Sequence, residues 1–171
     1  TAEPVGNPAT PDDSPGTVQN ATLADVATAF DAAAPWDAPL PVRQAALRKA
    51  ADLIEARFGE IFAILDREAG KTLPDCVAEL REAVDFLRYY AAQATGEPPA
   101  GLFVCISPWN FPHAIFLGQV SAALAAGNAV LAKPAEQTPL IAYVAVKILH
   151  DAGVPSSALQ LLPGDGAIGA A

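Results

Sequence analysis

Residues 101–163 read GLFVCISPWNFPHAIFLGQVSAALAAGNAVLAKPAEQTPLIAYVAVKILHDAGVPSSALQLLP, and their changing period decides the fold. Three short apolar runs, 102–106, 129–132 and 159–162, are too brief for helices and are bounded by turn residues. Between them lie two stretches of helical length, 113–126 and 139–152. The order is β-α-β-α-β. Strands connected through helices run parallel, and both faces of such a sheet are expected to carry helices. Thr138 and Pro139 suit the N-cap and first position of the second helix, while Gly127 and Gly153 suit the stops.

Each strand gives way to a loop unlike the apolar filler around it: SPWNFP (107–112), KPAEQTP (133–139) and PGDGAIG (163–169). All three leave the carboxyl ends of neighbouring parallel strands, where open α/β sheets bind ligands. In the first, Pro108 and Pro112 restrict the backbone around Asn110, and Trp109 and Phe111 are large enough to wall a pocket. A fixed asparagine can aim its side-chain NH2 at a developing oxyanion, or it can form an Asx turn that caps the following helix. In the second, Lys133 and Glu136 can together hold the hydroxyls of a ribose, or they form an ordinary surface ion pair. The third spells Gly164-x-Gly166-x-x-Gly169 after a strand, the letters of the dinucleotide fingerprint. It does not follow the first strand and no acid stands some twenty residues on, so a plain turn is the alternative.

Upstream the period is helical. Thr22 and Asp25 resemble a capping box ahead of Leu23, Val26, Ala27 and Phe30 on one helical face. One long helix is expected over 42–69, with Leu47, Ala51, Ile54, Phe58, Ile61 and Leu65 in a stripe and Gly70 as its stop. Another is expected over 75–94, with Leu80, Val84, Leu87 and Ala91 inward and Glu79, Arg81, Glu82 and Arg88 mainly outward. Residues 1–20 are rich in proline and are expected as an extended arm, 21–100 as a helical part, and 101–171 as the beginning of a parallel sheet.

Composition narrows the function. At 171 residues and 52% hydrophobic the chain can bury a sizeable core, and a net charge of -9 argues against a broad grip on nucleic acid or anionic lipid. No apolar run has the roughly 18 residues of a membrane span, and the N-terminus lacks signal-peptide features, so a cytoplasmic location is expected, with peripheral membrane association left to a parent protein. Cys76 and Cys105, with His113 and His150, are too few for structural zinc, and no metal is expected. Cys105 lies inside an apolar strand and reads as a small inert hydrophobe. Cys76 reads as packing, His113 as a first-turn residue at a pocket edge, and His150 as a structural residue in a last helical turn. The absence of methionine suggests a segment of a longer protein.

With PWNFP and KPAEQTP together, the chain resembles the aldehyde dehydrogenase superfamily. REAVDFLRYYA (81–91) and ALQLLPGDG (158–166) favour the glutamate-semialdehyde (pyrroline-5-carboxylate) dehydrogenase module of bacterial bifunctional proline-utilisation proteins. The resemblance implies an incomplete aldehyde dehydrogenase fold, N-terminal helices followed by the first strands of an NAD-binding sheet. It implies that Asn110 contributes to the oxyanion hole, that Phe111 borders the aldehyde channel, and that Ile106, Ser107, Pro108 and Trp109 line the nicotinamide side of the cofactor cleft. Lys133 and Glu136 would hold the adenosine ribose, and Gly166 would approach the adenine half. Two departures stand out: the family has three residues between the last two glycines of its loop, and usually an aliphatic residue at the position of His113. The family's catalytic cysteine and general base belong to segments beyond position 171, so the chain by itself is expected to be inactive. FAD would belong to a separate proline dehydrogenase module. The partners implied are an aldehyde substrate, the rest of the parent polypeptide and further copies in a homo-oligomer. A non-catalytic assembly domain of the same fold, or an aldehyde dehydrogenase for another substrate, are the alternatives.

Overall fold

The computed structural model describes all 171 residues. Residues 1–20, expected as an arm, form a packed antiparallel hairpin of β1 (Glu3–Val5) and β2 (Gly16–Val18), with Glu3 opposite Val18. Proline density hid it, because two three-residue strands leave no periodic signal. Asp13 in the connecting loop accepts bonds from Arg67 at 2.9 and 2.5 Å and from Asn7 at 2.8 Å. The bonds from Arg67 and then Asn7 hold its carboxyl down at about 2.

Helix α1 (Leu23–Ala32) begins with the expected capping box: the Asp25 amide donates to Thr22 Oγ1 at 3.2 Å and the Thr22 amide donates to Asp25 Oδ2 at 2.8 Å. The long helix expected over 42–69 is two helices, α2 (Leu40–Ala56) and α3 (Phe58–Ala69), parted at Arg57 with φ -103° and ψ 20°. The break rotates the stripe: Leu47, Ala51, Ile54, Ile61 and Leu65 stay wholly buried, while Phe58 is 57% exposed. Gly70 ends α3 at φ 65°, a left-handed cap that a side chain would strain. Helix α4 (Leu73–Gln93) buries Leu80, Val84, Leu87 and Ala91 as expected, and also Glu79, which the sequence placed outward.

The remaining elements are β3 (Leu102–Ile106), α5 (Ala114–Ala125), β4 (Ala129–Lys133), α6 (Pro139–Ala152), β5 (Leu159–Leu161) and the short α7 (Gly166–Ala170). The strands form one parallel sheet in the order β3-β4-β5, with Cys105 beside Ala132 and Val130 beside Leu159. One core of 35 buried residues joins Cys105, Val130, Ala132 and Leu159 to α5, α6 and the inward stripes of α2, α3 and α4. Both crossover helices therefore lie on one face, as two crossovers of the same hand in the same direction must. The opposite face is covered by α1: Ala29 packs on Leu131 and Leu162, and Gln160 Nε2 donates to the Ala29 carbonyl at 2.8 Å. The side of α1 turned to the sheet carries Ala29 and Val26, and Leu23 and Phe30 are exposed. No helix is long and apolar enough to cross a membrane.

Candidate active site

The parallel ladder brings the three unusual loops together. Ser107 N–H donates to the Lys133 carbonyl at 3.2 Å, one step past the last β3 residue, and Leu162 N–H donates to the Ala132 carbonyl at 2.9 Å. Each loop thus starts at the same sheet edge, as the sequence requires. The third folds back on the second: a Cβ on Gly169 would stand 3.3 Å from Lys133 Cδ and 3.8 Å from Ile106 Cδ1, and one on Gly164 only 2.5 Å from Ile168 Cγ1. Two of the three fingerprint glycines are therefore fixed by packing within the protein. Gly166 meets nothing within 4 Å. Asp165 Oδ1 accepts from the Ala167 amide at 2.9 Å and starts α7.

A cleft of about 690 Å³ opens at this edge. It is lined by Trp109 of the first loop, Glu136 and Thr138 of the second, Gly164 and Ile168 of the third, and by the β1–β2 hairpin and Glu68 from outside the sheet. That volume lies in the usual range for a small-molecule site. Lys133 is buried beside it, its Nζ donating to the Pro134 carbonyl at 2.8 Å and standing 3.7 Å from Glu136 Oε2. An ammonium has three protons to donate, so this one retains donors for a ligand. Ser107 is buried and Pro108 half-buried, whereas Ile106 is exposed on the far side of β3 from Cys105.

Asn110 and Phe111 stand outside the cleft. Asn110 is exposed, and it does not form the Asx cap that was the alternative for it: α5 is capped by another side chain. Glu79 reaches across from α4, and its Oε1 accepts from the amides of His113 at 2.8 Å and Ala114 at 3.2 Å. Its Oε2 meets Lys71 Nζ at 2.5 Å, and the same ammonium sits 4.1 Å from the centroid of the Phe111 ring. The carboxylate is wholly buried and Lys71 is nearly so.

Glu68 repeats the device at α6. Pro139 has no N–H, and the amides of Leu140 and Ile141 donate to the two oxygens of Glu68 at 2.6 and 3.0 Å. Thr138, the expected cap, leaves its hydroxyl buried without a partner. Burial pushes the Glu68 carboxyl up to about 7, against the pull of its two amide bonds. Sequence reading missed Glu68 and Glu79 as capping groups, although both sit on apolar stripes: Glu68 three residues after Leu65, and Glu79 three after Cys76 and four before Ala83. An acid on the buried stripe of a helix was the available signal.

His113 is not at a pocket edge. It occupies the N-cap position of α5, wholly buried, with neither ring nitrogen hydrogen-bonded, and burial drives its pKa down to about 3. His150 accepts its structural reading, its Nδ1 lying 2.9 Å from the Val154 carbonyl. Neither thiol is poised for attack: burial raises Cys105 to about 11 and raises Cys76 as well.

The aldehyde dehydrogenase family model matches residues 1–171. The bifunctional protein PutA of Escherichia coli (strain K12) is 55% identical over 174 residues, covering 95% of this chain and 13% of that protein. The 1-pyrroline-5-carboxylate dehydrogenase of Anoxybacillus flavithermus is 41% identical over 151 residues, covering 77% of this chain and 29% of that protein. Among solved structures, the 1-pyrroline-5-carboxylate dehydrogenase from Thermus with bound NAD superposes with a TM-score of 0.91 at 34% identity, over 99% of this chain and 38% of that one. A bifunctional proline utilization A protein superposes with a TM-score of 0.85 at 50% identity, over 90% and 18%. The chain spans about an eighth of the bifunctional curated relative and under a third of the monofunctional one.

Proposed function

The chain belongs to the aldehyde dehydrogenase family, and on that premise we propose that it is a segment of an NAD-dependent dehydrogenase that oxidises L-glutamate γ-semialdehyde to L-glutamate in proline catabolism. The observation that carries this reading is the convergence of the three loops at the carboxyl edge of β3, β4 and β5, around one cleft that Trp109, Glu136 and Gly164 share. The narrower choice of substrate rests on the likeness to PutA and to 1-pyrroline-5-carboxylate dehydrogenases.

The residues present fit a dinucleotide. Lys133 keeps free ammonium protons for the adenosine ribose, Glu136 is exposed beside it to accept from a hydroxyl, and the Cα of Gly166 faces open space where the adenine half would approach. Ile106, Ser107, Pro108 and Trp109 form the wall on the nicotinamide side. NAD, when bound, supplies the acceptor for the hydride. With both thiols of this chain raised and buried, the attacking thiolate comes from elsewhere in the parent polypeptide. As it adds to the aldehyde carbon, the C=O π pair moves to oxygen, and Asn110 Nδ2 donates to that oxyanion. Loss of the hydride leaves a thioester, which water cleaves to the carboxylate. Phe111 lines the aldehyde's approach. The 171 residues alone carry the donor and the cofactor contacts without a nucleophile.

The test is NADH formation by the polypeptide that carries this segment, offered L-glutamate γ-semialdehyde and aliphatic aldehydes of similar length. The expected result is the highest kcat/KM for the semialdehyde; equal or better use of the plain aldehydes would overturn the substrate. Lys133→Ala should raise the KM for NAD roughly 10–100-fold while leaving the chemical step nearly intact, since a ribose contact is similar in ground and transition states. NAD titration alongside a single-turnover rate at saturating NAD checks this split.

A further inference from the structure

We propose that Lys71 and Glu79 are positioning residues for the 107–112 loop: a buried ion pair on the α3–α4 side of the core that fixes Asn110 and Phe111 from behind. The inference rests on the catalytic reading of that loop given above. Its geometry is a continuous chain of contacts. Lys71 Nζ meets Glu79 Oε2 at 2.5 Å, Glu79 Oε1 accepts from the His113 and Ala114 amides at 2.8 and 3.2 Å, and Lys71 Nζ lies 4.1 Å from the Phe111 ring centroid. Lys71 therefore touches the loop twice, once through the Glu79 carboxylate and once through the ring.

A carboxylate at 0% exposure is tolerated only when its charge is met, and here two amides hydrogen-bond Oε1 while the Lys71 ammonium lies against Oε2 as a charge contact without hydrogen-bond geometry. The amides it holds are the orphan donors of the first turn of α5, so the carboxylate sets where that helix begins and how its axis points. Only Phe111 and Pro112 separate Asn110 from His113, and Pro112 is buried with its φ locked, so a fixed His113 amide leaves the Asn110 backbone little freedom. Asn110 and Phe111 are themselves exposed, and the Phe111 ring rests against the Lys71 ammonium. Their placement has to come from the residues behind the loop. A surface ion pair would contribute little of this, but a carboxylate wholly buried on two directed amide bonds, with a nearly buried ammonium against its other oxygen, is held in place.

The ammonium also acts on the pocket wall. Over the Phe111 face it holds the ring by a cation–π contact, so neutralising Lys71 releases the ring and the carboxylate together.

The experiment has two arms. In the polypeptide that carries the segment, Lys71→Met should slow single-turnover hydride transfer roughly 10–100-fold, the scale of a misplaced reacting group, with the NAD dissociation constant changed less than about twofold. Glu79→Gln should do the same. The double variant, which leaves no unpaired charge, should be no slower than the worse single one, giving a strongly non-additive cycle. In the 171-residue chain, Lys71→Met should accelerate amide exchange at Asn110, His113 and Ala114 far more than at Leu140 and Ile141, whose amides are held by Glu68 instead. Variants that lower the melting temperature but leave the rate per folded molecule unchanged would reduce the pair to a structural one and overturn the proposal. So would exchange that rises equally at both helix starts. If the parent polypeptide has no dehydrogenase activity, the functional reading fails and the exchange comparison still decides whether the pair fixes the loop.

Discussion

Asn110→Ala, made in the polypeptide that carries this segment, is expected to lower the rate of hydride transfer in a single turnover by roughly 10²–10³, the cost of one oxyanion donor. The effect follows from timing. The asparagine NH2 meets an uncharged aldehyde oxygen in the ground state and a full negative charge after thiolate addition, so its bond strengthens only on the way up the barrier. Substrate and NAD affinity should move little, because Asn110 lies outside the cleft that Trp109, Glu136 and Gly164 line. Asn110→Asp should be worse than alanine, since a carboxylate repels the oxyanion it replaces a donor for. Stopped-flow NADH absorbance at saturating NAD, paired with NAD titration, separates the effects. A variant that binds NAD poorly yet turns over at the parental rate once saturated would move Asn110 from the carbonyl to the cofactor.

The exposed position of Asn110 bears on how much of the site could be read from sequence. Strands β3, β4 and β5 were legible because each is a short apolar run ended by glycine or proline, and the ladder then dictates that Ser107, Lys133 and Pro163 start loops at one edge. The loops' chemistry was legible because an asparagine between prolines, or a lysine ending a buried strand, has no use in a core. What holds those loops was not. Glu68 and Glu79 are acids on helices, which composition assigns to the surface, and their partners lie 72 and 34 residues away in sequence. Only tertiary packing reveals that each carboxylate replaces a local cap: Thr138 looked sufficient for α6, and its hydroxyl is left without a partner. The division of 42–69 at Arg57 was hidden for a related reason. The apolar spacing continues through Phe58, and only the packed structure tells that this ring faces solvent while Ile61 does not.

His113→Leu is expected to stabilise the 171-residue chain, by about 1–3 kcal/mol at neutral pH, because the native imidazole is buried with both nitrogens unpaired and leucine carries no such debt. The gain should depend on pH in a direction fixed by the titration of His113. Its pKa is about 3 folded against 6.5 for a free imidazole, so between those values the unfolded chain binds the extra proton and wild-type stability falls as pH drops. The advantage of the leucine variant should therefore grow by about 1.4 kcal/mol for each pH unit below 6.5, toward a limit on the order of 5 kcal/mol below pH 3. Glu68 has the opposite sign. Its folded pKa of about 7 exceeds the ordinary glutamate value of 4.5, so its contribution is present below pH 4.5 and is lost as pH rises through 7. In the wild-type chain the two slopes offset one another between about pH 4.5 and 6.5, and removing the histidine uncovers that of Glu68. Urea denaturation from pH 4 to 8 should find the variant more stable at pH 5 than at pH 7, where the wild type changes little. An advantage that stays constant with pH would mean that His113 is not buried in its neutral form, and a destabilised variant would mean that the imidazole has a partner.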